Sequence, residues 1–323
     1  MANTAASEKS PSAKRRRFCP WTLAFAGVLI AGAATAVVPP VQEQVALLLD
    51  KAGSMKMRKP VAVVAFASPV KLRQHFETMG YDLDSVRQGR MEVPRIFLSK
   101  VPDGLAEVKQ TRERKAVFLR LMLPLILDAN ERVLQQRARL LVIDAKLAAG
   151  RPLTPEQRRA LETIAAQYKT DPERIDLLLR KVDAVPPSLA LAQAAIESGW
   201  GTSRFIRQGN AVFGQWTTAQ HEGIVPLQRD EGKTHKIRSF SHLGDSVRSY
   251  IYNLNTHGSY RMLRDLRWSM RSEGKRLAGM ALVPSMLDYS EKKEKYLDLL
   301  RSVIRVNKLA PLDGARLSNA APA

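Results

Sequence analysis

Residues 188–201 read Ser-Leu-Ala-Leu-Ala-Gln-Ala-Ala-Ile-Glu-Ser-Gly-Trp-Gly, and this run constrains the chain more than any other. It is a short apolar helix that the rest of the fold must wall in, and it ends by presenting one carboxylate, Glu197, beside a Gly-Trp-Gly turn. At 3.6 residues per turn, Ala190, Gln193, Ala194 and Glu197 share one stripe, so small side chains leave room above the turn that carries the carboxylate. The pattern describes the floor of a cleft. Two local features act on the acidity of Glu197: it sits at the negative end of the helix dipole, and Trp200 is placed to desolvate it. Both push its pKa upward, as a general acid working near neutral pH requires. Gly199 and Gly201 can take positive φ and so stop the helix and turn the chain back over the site. An ordinary solvated glutamate at a helix end is the competing reading.

The 323 residues suffice for one large or two modest domains with a sizeable core. Apolar residues make up 45% of the chain, long β-branched runs are few, and a mostly α protein is expected. Lys and Arg number 51 against 31 Asp and Glu, a net charge of +20 that suits anionic partners: cell-wall polymer, lipid headgroups or nucleic acid. Residues 1–17 form a basic tail ending in Lys14-Arg-Arg-Arg17, and residues 18–38 follow without a charge, spanning ~31 Å if helical. This predicts a single transmembrane anchor with a cytoplasmic N-terminus and the body of the protein outside, in the periplasm of a cell with an inner membrane. A cleaved signal peptide is the alternative, because Ala34-Thr-Ala36 resembles a cleavage site. Cys19, the single cysteine, lies inside that segment and excludes an intramolecular disulfide or a cysteine metal site. His235, His242 and His257 are too scattered for a metal site, so neither metal nor cofactor is expected.

Residues 39–104 contain Pro39, Pro40, Pro60, Pro69, Pro94 and Pro102, and read as a linker followed by loosely packed elements. Residues 105–154 turn strongly helical, with Val117, Leu121 and Leu125 at four-residue spacing and Pro124 expected to kink or divide the helix. Its Asp128, Asn130 and Glu131 read as a solvated face. Thr154-Pro155-Glu156 and Asp171-Pro172-Glu173 each place a capping side chain before a first-turn proline, giving helices over 155–168 and 172–183, and Val185-Pro-Pro187 launches the Glu197 helix. Asn210-Ala-Val-Phe-Gly-Gln-Trp216 gathers two aromatics in a chain that is 6% aromatic, which reads as a sugar-stacking wall or, for Phe213 alone, as core. A β-hairpin lobe is predicted from a strand at Val225-Pro-Leu227, a charged turn at Arg229-Asp-Glu-Gly232 and a strand over His235–Phe240. Ser241 caps a helix that stops at His257-Gly258, further helices cover 259–272 and 290–307, and residues 310–323 read as a disordered tail.

Several separated blocks, in the same order, resemble the glucosaminidase family of bacterial peptidoglycan hydrolases (glycoside hydrolase family 73) and within it the Bax type. They are Ala192–Gly201, Ser203-Arg-Phe205, Asn210–Trp216, Val225-Pro-Leu-Gln228, Arg238-Ser-Phe-Ser241, Asn253-Leu-Asn-Thr-His257, and Asp288-Tyr-Ser290 followed by Tyr296. The resemblance spans residues 155–309. It implies a lysozyme-like helical domain with a small β lobe, an endo-β-N-acetylglucosaminidase acting on peptidoglycan glycan strands, and Glu197 as the general acid. Tyr289 would face the cleft near the acetamido group, and Trp200, Asn210, Phe213, Trp216 and Ser198 would contribute to substrate binding. A second carboxylate, if one exists, would be Asp230 or Glu231 at the hairpin tip; some 2-acetamido substrates supply their own carbonyl oxygen instead. Where relatives carry a longer aliphatic after the motif asparagine, this chain has Ala211. A lytic transglycosylase on the same fold and a non-catalytic peptidoglycan-binding envelope protein remain alternatives, while nucleic-acid binding has net charge alone behind it and is set aside.

Overall fold

The computed structural model describes residues 63–217, 223–226 and 234–319. The predicted basic tail, the membrane segment 18–38 and the carboxylates Asp230 and Glu231 lie outside these. Among the described residues no helix is long and apolar enough to cross a membrane.

Helices dominate. In chain order they are α1 (Pro69–Thr78), α2 (Leu83–Arg87), α3 (Thr111–Ala148), α4 (Pro155–Gln167), α5 (Ile175–Lys181), α6 (Pro187–Ser198), α7 (Arg204–Gly209), α8 (Leu243–Thr256), α9 (Arg261–Ser272), α10 (Gly279–Leu282) and α11 (Glu294–Val306). Single 3-10 segments occupy Gly258–Tyr260, Val283–Tyr289 and Ala310–Gly314. Two short strands, β1 (Val63–Val64) and β2 (Phe97–Leu98), pair in parallel, and β3 (Trp216–Thr217) and β4 (Lys236–Ile237) pair antiparallel.

The central element is α3, 38 residues or ~57 Å long, which runs unbroken through Pro124. An interior proline costs a helix about 3 kcal/mol. Here Phe118, Leu119, Leu121, Met122, Leu123, Leu125, Ile126 and Leu127 are all buried around it, and each such side chain contributes about 1.5–3 kcal/mol. Packing therefore outweighs the proline, and the expected division does not occur. The N-terminal half of α3 packs against α6 and α8, while its C-terminal half, through Leu140 and Ile143, carries a separate small core with Leu161, Ile164, Tyr168, Ile175, Leu178 and Leu179 from α4, α5 and the loop between them.

Residues 63–104 are not the loosely packed region expected. Pro69 is the first residue of α1 with Ser68 as its cap, and Leu72, Phe76, Tyr81, Val93, Ile96, Leu98 and Val101 are buried in the main core. Nor are residues 310–319 disordered: Leu312 and Leu317 are buried, and Val93 bridges Leu317. The carboxylate of Asp313 takes the Ser188 N–H and hydroxyl and the Gly279 N–H, each at 2.8 Å. This folded tail supplies the cap that Pro186 and Pro187 cannot give to the start of α6. Gly279 is required there, because a side chain would collide with the Ser188 hydroxyl and the Leu189 backbone.

Of the expected hairpin, Leu227 and the charged turn at residues 229–232 lie outside the described residues. Among those described, β4 pairs with Trp216–Thr217, and the segment near Val225 contributes the bridge Ile224 to Ile237. Pro226 has no N–H with which to extend that bridge into a strand.

Candidate active site

The segment 179–187, which sets the direction of α6, is held by polar side chains from three helices. Arg267, fully buried, donates to the carbonyls of Asp183 and Ala184 at 3.0 Å. Arg137 donates to the carbonyls of Leu179 and Val182, and Asn255 to that of Asp183. Asn130, predicted on a solvated face, is buried and exchanges two hydrogen bonds with the Val185 backbone at 2.7 and 3.0 Å. Glu131 on the same predicted face pairs with Arg95, while Asp128 pairs with Arg132 at the surface. Arg271 grips the Asp183 carboxylate bidentately at 2.9 and 3.1 Å. Burial opposes the charge of Asp183, but the Arg271 hydrogen bonds and the positive charge of Arg267 and Arg137 hold its carboxyl below the usual range.

At the other end of α6 the chain leaves the helix through three successive left-handed residues, Gly199 (φ 58°), Trp200 (φ 59°) and Gly201 (φ 82°). The Trp200 N–H reaches the Ala195 carbonyl at 2.8 Å, closing the helix as a Schellman-type cap. A side chain at position 201 would meet Leu105 and Phe118 at 2.9 and 3.0 Å, so the turn lies directly on α3. Trp200 itself rests edge-on against Phe118, 5.8 Å between ring centres, under the ammonium of Lys115.

Glu197 is half-buried. Burial raises its pKa, and neither the hydrogen bond from Tyr296 nor the positive charge of Lys292 restores it to the ordinary value. The group in direct contact is Tyr296 of α11, whose hydroxyl donates to Glu197 Oε1 at 3.0 Å. Behind it Gln193 Nε2 donates to the Tyr296 hydroxyl at 3.2 Å, and the Tyr250 hydroxyl donates to Gln193 Oε1 at 2.6 Å. Tyr289 stacks on Tyr296, 5.6 Å between centres and 10° from parallel, and Tyr260 lies 6.0 Å beyond Tyr289. Burial and the neighbouring phenols, with the Glu197 carboxyl, push the Tyr289 hydroxyl well above its usual range, so it remains an O–H donor.

The remaining candidates fall into different places. Phe213 is 3% exposed and stacks on Tyr250 at 3.8 Å, so it supports the buried tyrosine instead of facing sugar. Ser198 is fully buried, donating to the Ala194 carbonyl and accepting the Gly201 N–H, and therefore shapes the turn instead of touching substrate. Asn210 caps α7 in a left-handed conformation and its amide N–H groups tie down the Phe240 and Ser241 carbonyls, leaving its carbonyl oxygen without a partner among the described residues. Trp216 is 67% exposed on β3 and stacks on His235 at 4.5 Å, an open aromatic face on the β lobe. Thus Glu197 and Tyr289 are brought together, and they are joined by Tyr250 and by Tyr296 and Gln193, which lie in the resembling blocks but had no role assigned there. A signal for Gln193 existed: it is the single amide on an otherwise apolar helix face, one turn before Glu197, and a buried polar side chain requires partners.

Residues 176–309 match the family model described as Glucosaminidase: Mannosyl-glycoprotein endo-beta-N-acetylglucosaminidase. The chain is 31% identical over 216 residues to Protein bax of Escherichia coli (strain K12), covering 65% of this chain and 75% of that protein. The crystal structure of the catalytic domain of the autolysin Auto from Listeria monocytogenes aligns with 18% identity and a TM-score of 0.32, covering 52% of this chain and 94% of that domain.

Proposed function

Because the chain belongs to the glucosaminidase family, in its Bax-type branch, we propose that it hydrolyses the β-1,4 glycosidic bond after N-acetylglucosamine in peptidoglycan, with Glu197 as general acid. The observation that carries this reading is the half-buried Glu197 carboxyl with its raised pKa, which no guanidinium among the described residues neutralises. A carboxyl that keeps its proton toward neutral pH can deliver it to the glycosidic oxygen as the bond to C1 breaks. Tyr289, a neutral O–H beside Tyr296, would orient the 2-acetamido group or a water at the sugar. The positive charge that develops at C1 would be met either by Asp230 or Glu231 or by the carbonyl oxygen of the substrate's own acetamido group. Residues 18–38 would hold the domain at the outer face of the inner membrane, within reach of glycan strands.

Digestion of purified peptidoglycan with analysis of the muropeptides tests the reaction. Reducing N-acetylglucosamine ends are expected; 1,6-anhydro ends would make the protein a lytic transglycosylase, and binding without cleavage would make it a non-catalytic wall protein. Protease added to spheroplasts should degrade the domain, and its protection would reverse the topology. A mature N-terminus near Val37 would replace the anchor with a cleaved signal.

A further inference from the structure

Three buried residues to which the sequence pattern assigned no role form a directed chain into Glu197. Tyr250 (1% exposed), Gln193 (0%) and Tyr296 (3%) come from three different helices, α8, α6 and α11, and are linked at 2.6 and 3.2 Å before the 3.0 Å bond to the carboxylate. The direction of such a chain is set by its members' donor inventories. A primary amide offers an acceptor on one side and donors on the other, so its orientation decides which way the next hydroxyl points. The Tyr250 hydroxyl is buried, and Gln193 Oε1 accepts its proton. That holds the Gln193 amide with its N–H groups toward Tyr296, and a hydroxyl oxygen already accepting from Gln193 turns its own proton outward, to Glu197.

We propose that Tyr250 and Gln193 are positioning residues that fix Tyr296 as a hydrogen-bond donor to Glu197. With the amide reversed, Gln193 Oε1 would take the Tyr296 proton, the Tyr250 hydroxyl would lose its acceptor, and Tyr296 could meet only a protonated Glu197. The observed polarity instead favours the carboxylate, the form that Glu197 reaches as it gives up its proton. Phe213, stacked on Tyr250 at 3.8 Å, holds the first member of the chain in place. Among the described residues the groups that act on Glu197 or feel its charge are Tyr296 and Lys292 from α11 and the turn before it, Tyr289 and Tyr260 from the 3-10 segments, and Tyr250 from α8; Arg267 acts in turn on Tyr250. The catalytic use of the chain rests on Glu197 being the proton donor; its geometry does not.

The test reads Glu197 directly and without substrate: the pH dependence of carbodiimide labelling of its carboxyl in the full-length chain, followed by peptide mass spectrometry, with melting temperature checked in parallel. Tyr296→Phe removes the donor to the carboxylate and should raise the labelling midpoint by about one to two pH units, the worth of one hydrogen bond to a charged group. Tyr250→Phe keeps the stacked ring yet frees the amide to reverse, and Gln193→Met removes the amide; each should raise the midpoint by about half a unit or more. A Tyr296→Phe shift with no movement in Tyr250→Phe would overturn the chain, leaving an isolated Tyr296 contact. No movement in either would overturn it as well. If Gln193→Met fails to fold, Tyr250→Phe decides alone. A midpoint that moves as expected in an enzyme whose Glu197→Gln variant stays active would retain the chain and remove the catalytic reading.

Discussion

Two carboxylates flank α6 and have been driven in opposite directions. Asp183 lies just before the helix, 2% exposed, under three guanidiniums that hold its acidity below the ordinary range. Glu197 lies at the far end, half-buried, with a phenol in contact and Lys292 as its charged neighbour, and its pKa is raised. Desolvation acts on both; what differs is the compensation. A saturated ion cluster fixes the direction of the helix, and an under-compensated carboxyl at its tip keeps a proton available. No guanidinium among the described residues compensates Glu197, whereas the rigid anchor lies at the other end of a helix about 18 Å long.

Removing the reactive member should have the largest effect. Glu197→Gln should lower hydrolysis by at least about 10²–10⁴-fold. Its effect on stability has a definite sign. A carboxyl with a raised folded pKa costs stability as pH rises from the unfolded value of about 4.3 toward the folded value. At neutral pH the glutamine variant should therefore melt no lower than the parent, with any gain disappearing below about pH 4. Near-full turnover in a folded Glu197→Gln would place the acid elsewhere. Tyr289→Phe should cost less activity if, as proposed, that hydroxyl orients but does not transfer the proton.

Removing the structural member should give the opposite pattern. Asp183→Ala leaves Arg137, Arg267 and Arg271 facing one another, and breaking a buried ion cluster costs about 3–5 kcal/mol. Because the Asp183 pKa is depressed, its contribution is complete above about 3.9 and is lost as pH falls through the lower folded value. The parent should thus lose stability on acidification below about pH 4, while Asp183→Asn should show a flatter acid limb in urea titrations. An Asp183→Ala protein as stable as the parent would dissolve the contrast between the two carboxylates.

How far the sequence revealed this arrangement depends on how local each feature is. The Glu197 helix, its glycine-marked stop and the Thr154 cap are set by neighbours within a turn, and they stand where periodicity and capping chemistry put them. The arginine clamp on residues 179–187 joins Arg267 to carbonyls more than 80 residues away, so no local pattern marks it. Asp313 was invisible as a cap for the same reason, 125 residues from Ser188 in a tail whose composition suggested disorder. Pro124 shows the converse error, a correct local penalty overruled by the burial around it. Within the site, Tyr289 was reached by resemblance, whereas Gln193 and Tyr250 take their meaning from each other across 57 residues.

At the anchoring end a smaller change can sharpen the comparison. Gly279→Ala would force α10 away from Ser188 and Leu189 and loosen the Asp313 cap, a crowding penalty of about 1–3 kcal/mol. Melting temperature should fall while activity per folded molecule is kept; a matching loss of turnover would mean that the two ends of α6 are not separable.

The smallest effect on stability is expected at Trp216. Its indole is 67% exposed and contacts His235, so Trp216→Ala should change unfolding free energy by no more than about 0.5 kcal/mol. An aromatic face left open to water on a chain proposed to act on polysaccharide is suited to stack on a sugar ring, since the apolar face of the sugar replaces water there while its hydroxyls stay solvated. The variant should accordingly weaken binding to glycan strands, seen as a several-fold rise in KM or a loss of sedimentation with purified peptidoglycan, with kcat at saturation nearly unchanged. Among the described residues Trp216 stacks on His235 and not on the tyrosines beside Glu197, so the split between KM and kcat separates a platform for substrate from a part of the proposed catalytic end. Unchanged binding and KM in Trp216→Ala would leave the indole as surface decoration of the β lobe and return the search for a sugar wall to the tyrosines above Glu197.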